Sequence, residues 1–189
     1  DSGAVGDGVT LDDPAFNLAT QATVAWSSAM AGTIALSAGN YRIRSTIYVR
    51  KGQTLNGGGA LINASDNDVL TRFRLGEGLI GGVPTIDAGG DPVTITNMRT
   101  LGGSGANGFF RVAVQGFRIN DVFLSSCGIG FETAAGAADG IVSNIQIDQA
   151  TLASVQAAMI LRSTAVLSVT PRRLRMNTTT PEPAFTGSR

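Results

Sequence analysis

Apolar residues repeat at helical spacing over one long segment. Ala15, Leu18, Ala22, Ala25 and Ala29 form a stripe between Pro14 and Ala31, and Phe16, Ala19, Trp26 and Met30 widen it. Spacings of three and four residues put such a set on one helix face. Asp13 before Pro14 is an N-cap followed by proline at the first helical position, and Gly32 stands where a helix ends. The pattern predicts one amphipathic helix over 14–31. After Gly32 the period falls to two. Thr33-Ile34-Ala35-Leu36, Tyr41-Arg42-Ile43-Arg44, Thr46-Ile47-Tyr48-Val49 and Gln53-Thr54-Leu55-Asn56 are short alternating runs broken by Gly, Ser and Asn. They predict strands joined by abrupt turns, and the same texture continues to the C-terminus with no further helix.

The later strands contain a repeat. Ile95-Thr96-Asn97-Met98, Ile119-Asn120-Asp121-Val122, Val142-Ser143-Asn144-Ile145 and Val166-Leu167-Ser168-Val169 share the form apolar, any, small polar, apolar. Their third positions, 97, 121, 144 and 168, are spaced 24, 23 and 24 residues apart. A period in the low twenties with about three short strands per period is the mark of a β-solenoid. Each turn of chain would stack on the last, with apolar columns inside and the small polar residue at a corner. Residues 33 to 170 then make about six rungs, a rod ~30 Å long.

An open solenoid exposes core and unpaired backbone at both ends. The helix is placed to cover the N-terminal end. Residues 168–189 carry Pro171, Pro181, Pro183 and a Thr178-Thr179-Thr180 run, which predicts an extended arm. Three parts are therefore expected: a lead-in and capping helix (1–31), the coil (32–170) and a C-terminal arm or linker (171–189). The far end of the coil would be covered by a sister chain, another partner or further chain, so assembly is expected.

Composition narrows the function. Hydrophobic residues are 43% of the 189, enough for a core, and charged residues only 15%. Gly, at 25 residues, is about twice its usual share, as tightly stacked turns require. Lys+Arg and Asp+Glu are both 14, and a net charge of zero disfavours nucleic acid and anionic lipid as partners. No apolar run reaches the ~18 residues of a membrane span. The chain has no histidine and one cysteine, Cys127. Ser-His-Asp and Cys-His catalysis and Cys/His zinc sites are thereby excluded within it, and no cofactor is expected. Cys127 alternates like a small core residue. Acid-base chemistry would fall to carboxylates, Tyr, Lys or Arg.

The opening residues carry a resemblance. The run from Gly3 through Gly6-Asp7-Gly8 and Asp12-Asp13-Pro14 to Phe16 resembles the start of the pectate-lyase-like superfamily of right-handed parallel β-helices, in the style of phage tailspikes. Gly32 to Ile43, Thr46 to Val49 and Gly52 to Gly59 resemble that superfamily's first rungs. Ser37 stands where proline is frequent and Asn56 where a basic residue is common. The resemblance implies an all-β right-handed parallel β-helix with a capping helix, commonly a homotrimer. It implies a spike module on a virion surface, outside the cell, that docks other virion proteins and binds bacterial surface polysaccharide. The alternative it leaves is a polysaccharide depolymerase of the same fold, a hydrolase or lyase.

Glycoside hydrolysis uses two carboxylates about 5–9.5 Å apart, a distance stacked rungs supply. Asp68 and Asp91 are 23 residues apart on the Gly-rich excursion 63–92, which makes them the candidate catalytic pair. They could equally be Asx turns, since Asp91 precedes Pro92. Calcium-dependent elimination would gather Asp66, Asp68, Asp87 and Asp91, with Arg72 or Arg74 as the base. Tyr41 and Tyr48 could stack on a sugar if they face outward. Arg172-Arg173-Leu174-Arg175 is a basic run suited to a solvated strand end or a docking contact.

Overall fold

The computed structural model describes residues 3–22, 32–65, 72–80, 82–86, 92–102, 108–125, 129–134, 137–148, 157–161, 169–172, 175–177 and 186–187. The chain opens with β1 (Asp7–Leu11) and α1 (Asp13–Ala22), then coils. The first coil is β2 (Gly32–Ala35), β3 (Asn40–Arg42) and β4 (Ile47–Val49). The second is β5 (Gln53–Asn56), β6 (Leu61–Asn63) and β7 (Phe73–Leu75). A hairpin, β8 (Glu77–Ile80) and β9 (Val83–Ile86), then leaves the coil. Coiling resumes with β10 (Val93–Leu101) and β11 (Gly108–Val112), then β12 (Gln115–Ser125) and β13 (Ile129–Thr133). It continues with β14 (Ala138–Asp148) and β15 (Ala157–Leu161), and ends in β16 (Val169–Arg172), β17 (Arg175–Asn177) and β18 (Thr186–Gly187).

These strands make three parallel faces. The first is β2, β5, the leading halves of β10, β12 and β14, and β16. The second is β1, β3, β6, the trailing halves of the same long strands, and β17. The third is β4, β7, β11, β13, β15 and β18. Each described turn of chain thus contributes one strand to each face, as a parallel β-helix requires; there are six turns, the sixth of them (β16–β18) reaching beyond the span 33–170 in which about six were expected.

The repeat marks the corner between the first two faces. Asn97, Asp121 and Asn144 each have φ between 51° and 56°. They sit between ladder pairs such as Thr96↔Asn120 and Met98↔Val122, so the strand bends there. Asn and Asp tolerate this left-handed conformation better than other side-chain-bearing residues. The Asn144 side-chain amide donates to Asp121, and the Asn120 amide donates to Asp121 Oδ2 at 3.0 Å and Thr96 Oγ1 at 2.7 Å. These amides hold the Asp121 carboxyl below its ordinary pKa, Asn144 more strongly than Asn120. The fourth copy of the repeat, Ser168, lies outside the described residues.

Inside, Ile34, Leu55, Ile95, Ile119 and Val142 stack in register on the first face. On the third face Ile47, Phe73, Phe110 and Phe131 do the same, with the Phe73 and Phe110 rings 5.4 Å apart. Column packing dictates Gly140. Its register partner is Phe117, and a Cβ there would fall 1.9 Å from the Phe117 ring.

Two expectations need correction. Leu18, assigned to the buried stripe, is 61% exposed. The face turned inward carries Phe16 and Thr20 instead, because the helix is oriented by polar bonds to the first coil. Phe16 meets Tyr41 edge-on at 5.6 Å. The expected arm from 171 onward contains strand: β16, β17 and β18 extend all three faces. Among the described residues β16 pairs only with β14, and proline is accommodated in such edge strands where its nitrogen faces away from the ladder. The predicted helix residues 23–31, with Trp26 and Met30, lie outside the described residues.

The N-terminal cap solves the edge problem with side chains. The Asn17 amide donates to the Thr46 carbonyl at 3.0 Å, and its Oδ1 accepts from the Tyr48 N–H at 3.1 Å. Those are the two groups a further parallel strand would engage opposite Ile47. Asp12 accepts from the Val5 and Arg42 amides at 2.7 and 3.2 Å. Asp13 accepts from the Arg44 amide at 3.1 Å and from the Ser45 hydroxyl. The helix starts where the Asp-Pro signal places it, but both carboxylates serve the edge of the first coil. Gln53 reaches back to the Thr20 carbonyl and ties the second coil to the helix. In the lead-in, the Thr10 and Val9 amides and the Thr10 hydroxyl donate to Asp7 and lower its pKa.

Candidate functional site

The third face carries a functional-looking column. Its strands are short and alternate, so every second residue points out. Tyr48, Arg74, Arg111 and Glu132 are register partners on β4, β7, β11 and β13. Stacking brings an aromatic ring and two guanidiniums into one outward line at rung spacing, about 4.8 Å, with the carboxylate of Glu132 buried at its end.

Two guanidiniums one rung apart repel each other unless a negative charge lies between them. Glu77, the first residue of the hairpin, supplies it. Its Oε2 is 3.0 Å from Arg74 Nη1 and its Oε1 3.0 Å from Arg111 Nη1. The Glu77 side chain is only 4% exposed, while those of Arg74 and Arg111 are 30% and 31% exposed. The carboxylate therefore holds both guanidiniums from beneath and leaves their outer edges in water. Charge-assisted bonds of this kind are stronger than neutral ones and fix orientation.

The hairpin that brings Glu77 is a separate two-stranded sheet outside the coil. β8 and β9 pair antiparallel from Glu77↔Ile86 to Ile80↔Val83, and Gly82 takes a positive φ, 80°, in the connection. Val83 and Ile86 are 62% and 56% exposed.

Asp68 and Asp91, the proposed catalytic pair, lie outside the described residues, as do Asp66, Asp87 and Cys127. Among the described residues no cluster of three or more Asp, Glu, Cys or His could hold a metal ion. Arg72, considered as a base for elimination, is fully buried and donates to the Arg44 and Ala64 carbonyls at 3.3 and 3.0 Å. Its neighbours in β7 alternate, so Arg74 is the arginine that reaches the surface. Tyr41 is 3% exposed and points into the core, with its hydroxyl bonded at Ser37. Tyr48 points outward on the column.

The column itself was not anticipated. Its members are separated by 26, 37 and 21 residues, because the hairpin and loops of unequal length interrupt the third face. One local signal lies in the sequence: Gly81-Gly82 between Leu79-Ile80 and Val83 is a dipeptide favoured in two-residue hairpin turns.

Comparison with protein families finds no match, and comparison with curated proteins finds none. Among solved structures, ORF18 of Geobacillus virus E2 superposes with a TM-score of 0.55 at 17% identity, over 93% of this chain and 39% of that one. This chain thus spans about two-fifths of that protein's length. The A-module of the Azotobacter vinelandii mannuronan C-5 epimerase AlgE4 aligns with 94% of this chain and 71% of that one, at 16% identity and a TM-score of 0.39. No described helix is long and apolar enough to cross a membrane. The three stacked faces and the viral superposition agree on the architecture: the chain is a parallel β-helix with a helix at its N-terminal end.

Proposed function

We propose that this chain is a phage-associated β-helix module that binds bacterial surface polysaccharide through its third face, with an adhesive role. The observation that carries the reading is the outward line of Tyr48, Arg74 and Arg111, braced by buried Glu77 on a rigid coil. An aromatic ring for stacking beside fixed donors is a polar, preorganised surface suited to a hydroxyl-rich chain. Rungs at regular spacing offer successive sugar residues equivalent footing. The structural likeness to a viral protein supports the virion setting. In this reading the module works outside the cell at the virion surface, as a homotrimer that also contacts other virion proteins.

The test is retention on an array of bacterial capsular and lipopolysaccharide glycans. Specific retention, weakened by Tyr48→Ala in a protein of unchanged melting temperature, is expected. Failure to retain any bacterial glycan would overturn the reading. Shortening of a retained glycan over hours would make the module a depolymerase. Light scattering should give about three times the chain mass at micromolar concentration, and a stable monomer would remove the trimer.

A further inference from the structure

We infer that the ligand of the third face is an acidic glycan, and that one of its carboxylate or phosphate groups sits on the outer edges of Arg74 and Arg111. This inference rests on the polysaccharide-binding reading and names the class of glycan.

The charge balance is local. Arg74 and Arg111 bring two positive charges; Glu77 cancels one from below, and Glu132, one rung beyond Arg111, offsets charge at that end. Each guanidinium has five N–H donors in a planar fork, and the bonds to Glu77 engage only Nη1 of each. About a third of each side chain faces water. The outer edges are therefore aligned and partly exposed, and Arg74, which shares Glu77 with Arg111 and has uncharged Tyr48 on its other side, is the less compensated of the two. A carboxylate or phosphate is the group that such paired forks fit.

The ends of the column differ, and this gives the ligand a direction. Tyr48 lies one rung below Arg74 and carries no charge. Glu132 lies one rung above Arg111 and is 9% exposed. An anion is thus favoured at Arg74, away from Glu132. A neutral sugar ring suits Tyr48, and the negative charge of buried Glu132 disfavours a second acid at the other end. The glycan expected is one in which charged and neutral residues alternate or mix, rather than a chain charged at every residue.

Glu77 acts here as a positioning residue. It touches no ligand, and its absence would let the two guanidiniums splay apart.

The experiment uses the same glycan array, with each acidic glycan printed beside its carboxyl-reduced or dephosphorylated form. Retention of acidic glycans, lost on reduction or dephosphorylation, is expected. Arg74→Gln should weaken it about tenfold, and Arg74→Lys by less. Arg118→Gln, an exposed arginine on the first face, should leave it unchanged. Binding should also fall as salt rises. Retention of neutral glycans alone, or acidic retention indifferent to Arg74→Gln and to reduction, overturns this inference and leaves the polysaccharide reading standing. Retention of no glycan overturns both. Melting curves for each variant separate lost binding from lost folding. If Arg74→Gln does not fold, Arg111→Gln and the salt dependence of the unaltered protein decide the matter by the same readouts.

Discussion

The N-terminal cap and the third face both bury acidic groups, but they use them differently. In the cap, Asp12 is 1% exposed and its oxygens accept from backbone amides of Val5 and Arg42. Asp13 and Asn17 also bond backbone. On the third face, Glu77 is equally hidden, but its oxygens go to side chains that continue outward to solvent. A buried polar group that ends on backbone closes an edge. One that ends on half-exposed guanidiniums holds a surface in a set shape. The first arrangement is accounted for by folding alone, whereas the second leaves aligned donors with no structural task.

The largest effect should come from Asp12→Ala. It leaves the part-buried amides of the lead-in and of β3 without their acceptor and removes a nearly fully buried side chain, at about 1–3 kcal/mol together. A loss near 3 kcal/mol, or roughly 6–12 °C in melting temperature, is expected, with glycan affinity of the folded protein unchanged. Thermal unfolding followed by circular dichroism measures it. A variant as stable as the parent would mean that water replaces the carboxylate and the cap is not closed there.

Glu77→Gln should invert that outcome. Both arginines can turn to solvent, so the stability cost should be only about 1–2 kcal/mol. Glycan affinity should fall several-fold, because the forks are no longer held parallel. If the substitution costs more stability than Asp12→Ala and spares affinity, the two regions do not differ in the way described, and Glu77 serves only to anchor the hairpin.

The same contrast explains what was legible in the sequence. The corner between the first and second faces repeats at 24 and 23 residues through Asn97, Asp121 and Asn144, because β10, β12 and β14 run through it without insertion. A constant spacing can be seen by eye. The third face has no constant spacing, since the chain makes its excursions on either side of it. Arg74 and Arg111 are neighbours only once the hairpin is folded out, and Glu77 lies 34 residues from Arg111. The Asp-Pro signal located the start of α1 but not the task of Asp12 and Asp13, which depends on Arg42, Arg44 and Ser45 some 30 residues away. Carboxylates sought by rung spacing led to Asp68 and Asp91, whereas the buried carboxylate of the third face enters from a hairpin outside the period.

The corner offers the smallest effect and a test of whether the polar ladder adds anything beyond shape. The Asn144 and Asn120 amides lower the Asp121 pKa in the folded chain below the value of 3.8 for an unperturbed carboxyl. The stability this brings is therefore fully present above about pH 4 and is lost as pH falls through the lowered folded value. Asp121→Asn keeps a residue that accepts the left-handed corner but removes the titrating group. The parent should melt higher than the variant near neutral pH, and the gap should close in acid. Asp121 is exposed, so water screens the interaction and the gap should be about 1–2 °C. A gap that stays constant from pH 6 down to pH 2 would show that the corner depends on backbone conformation and amide shape alone. A gap that closes would show that the charge of Asp121 links the fourth and fifth coils along the edge opposite the arginines.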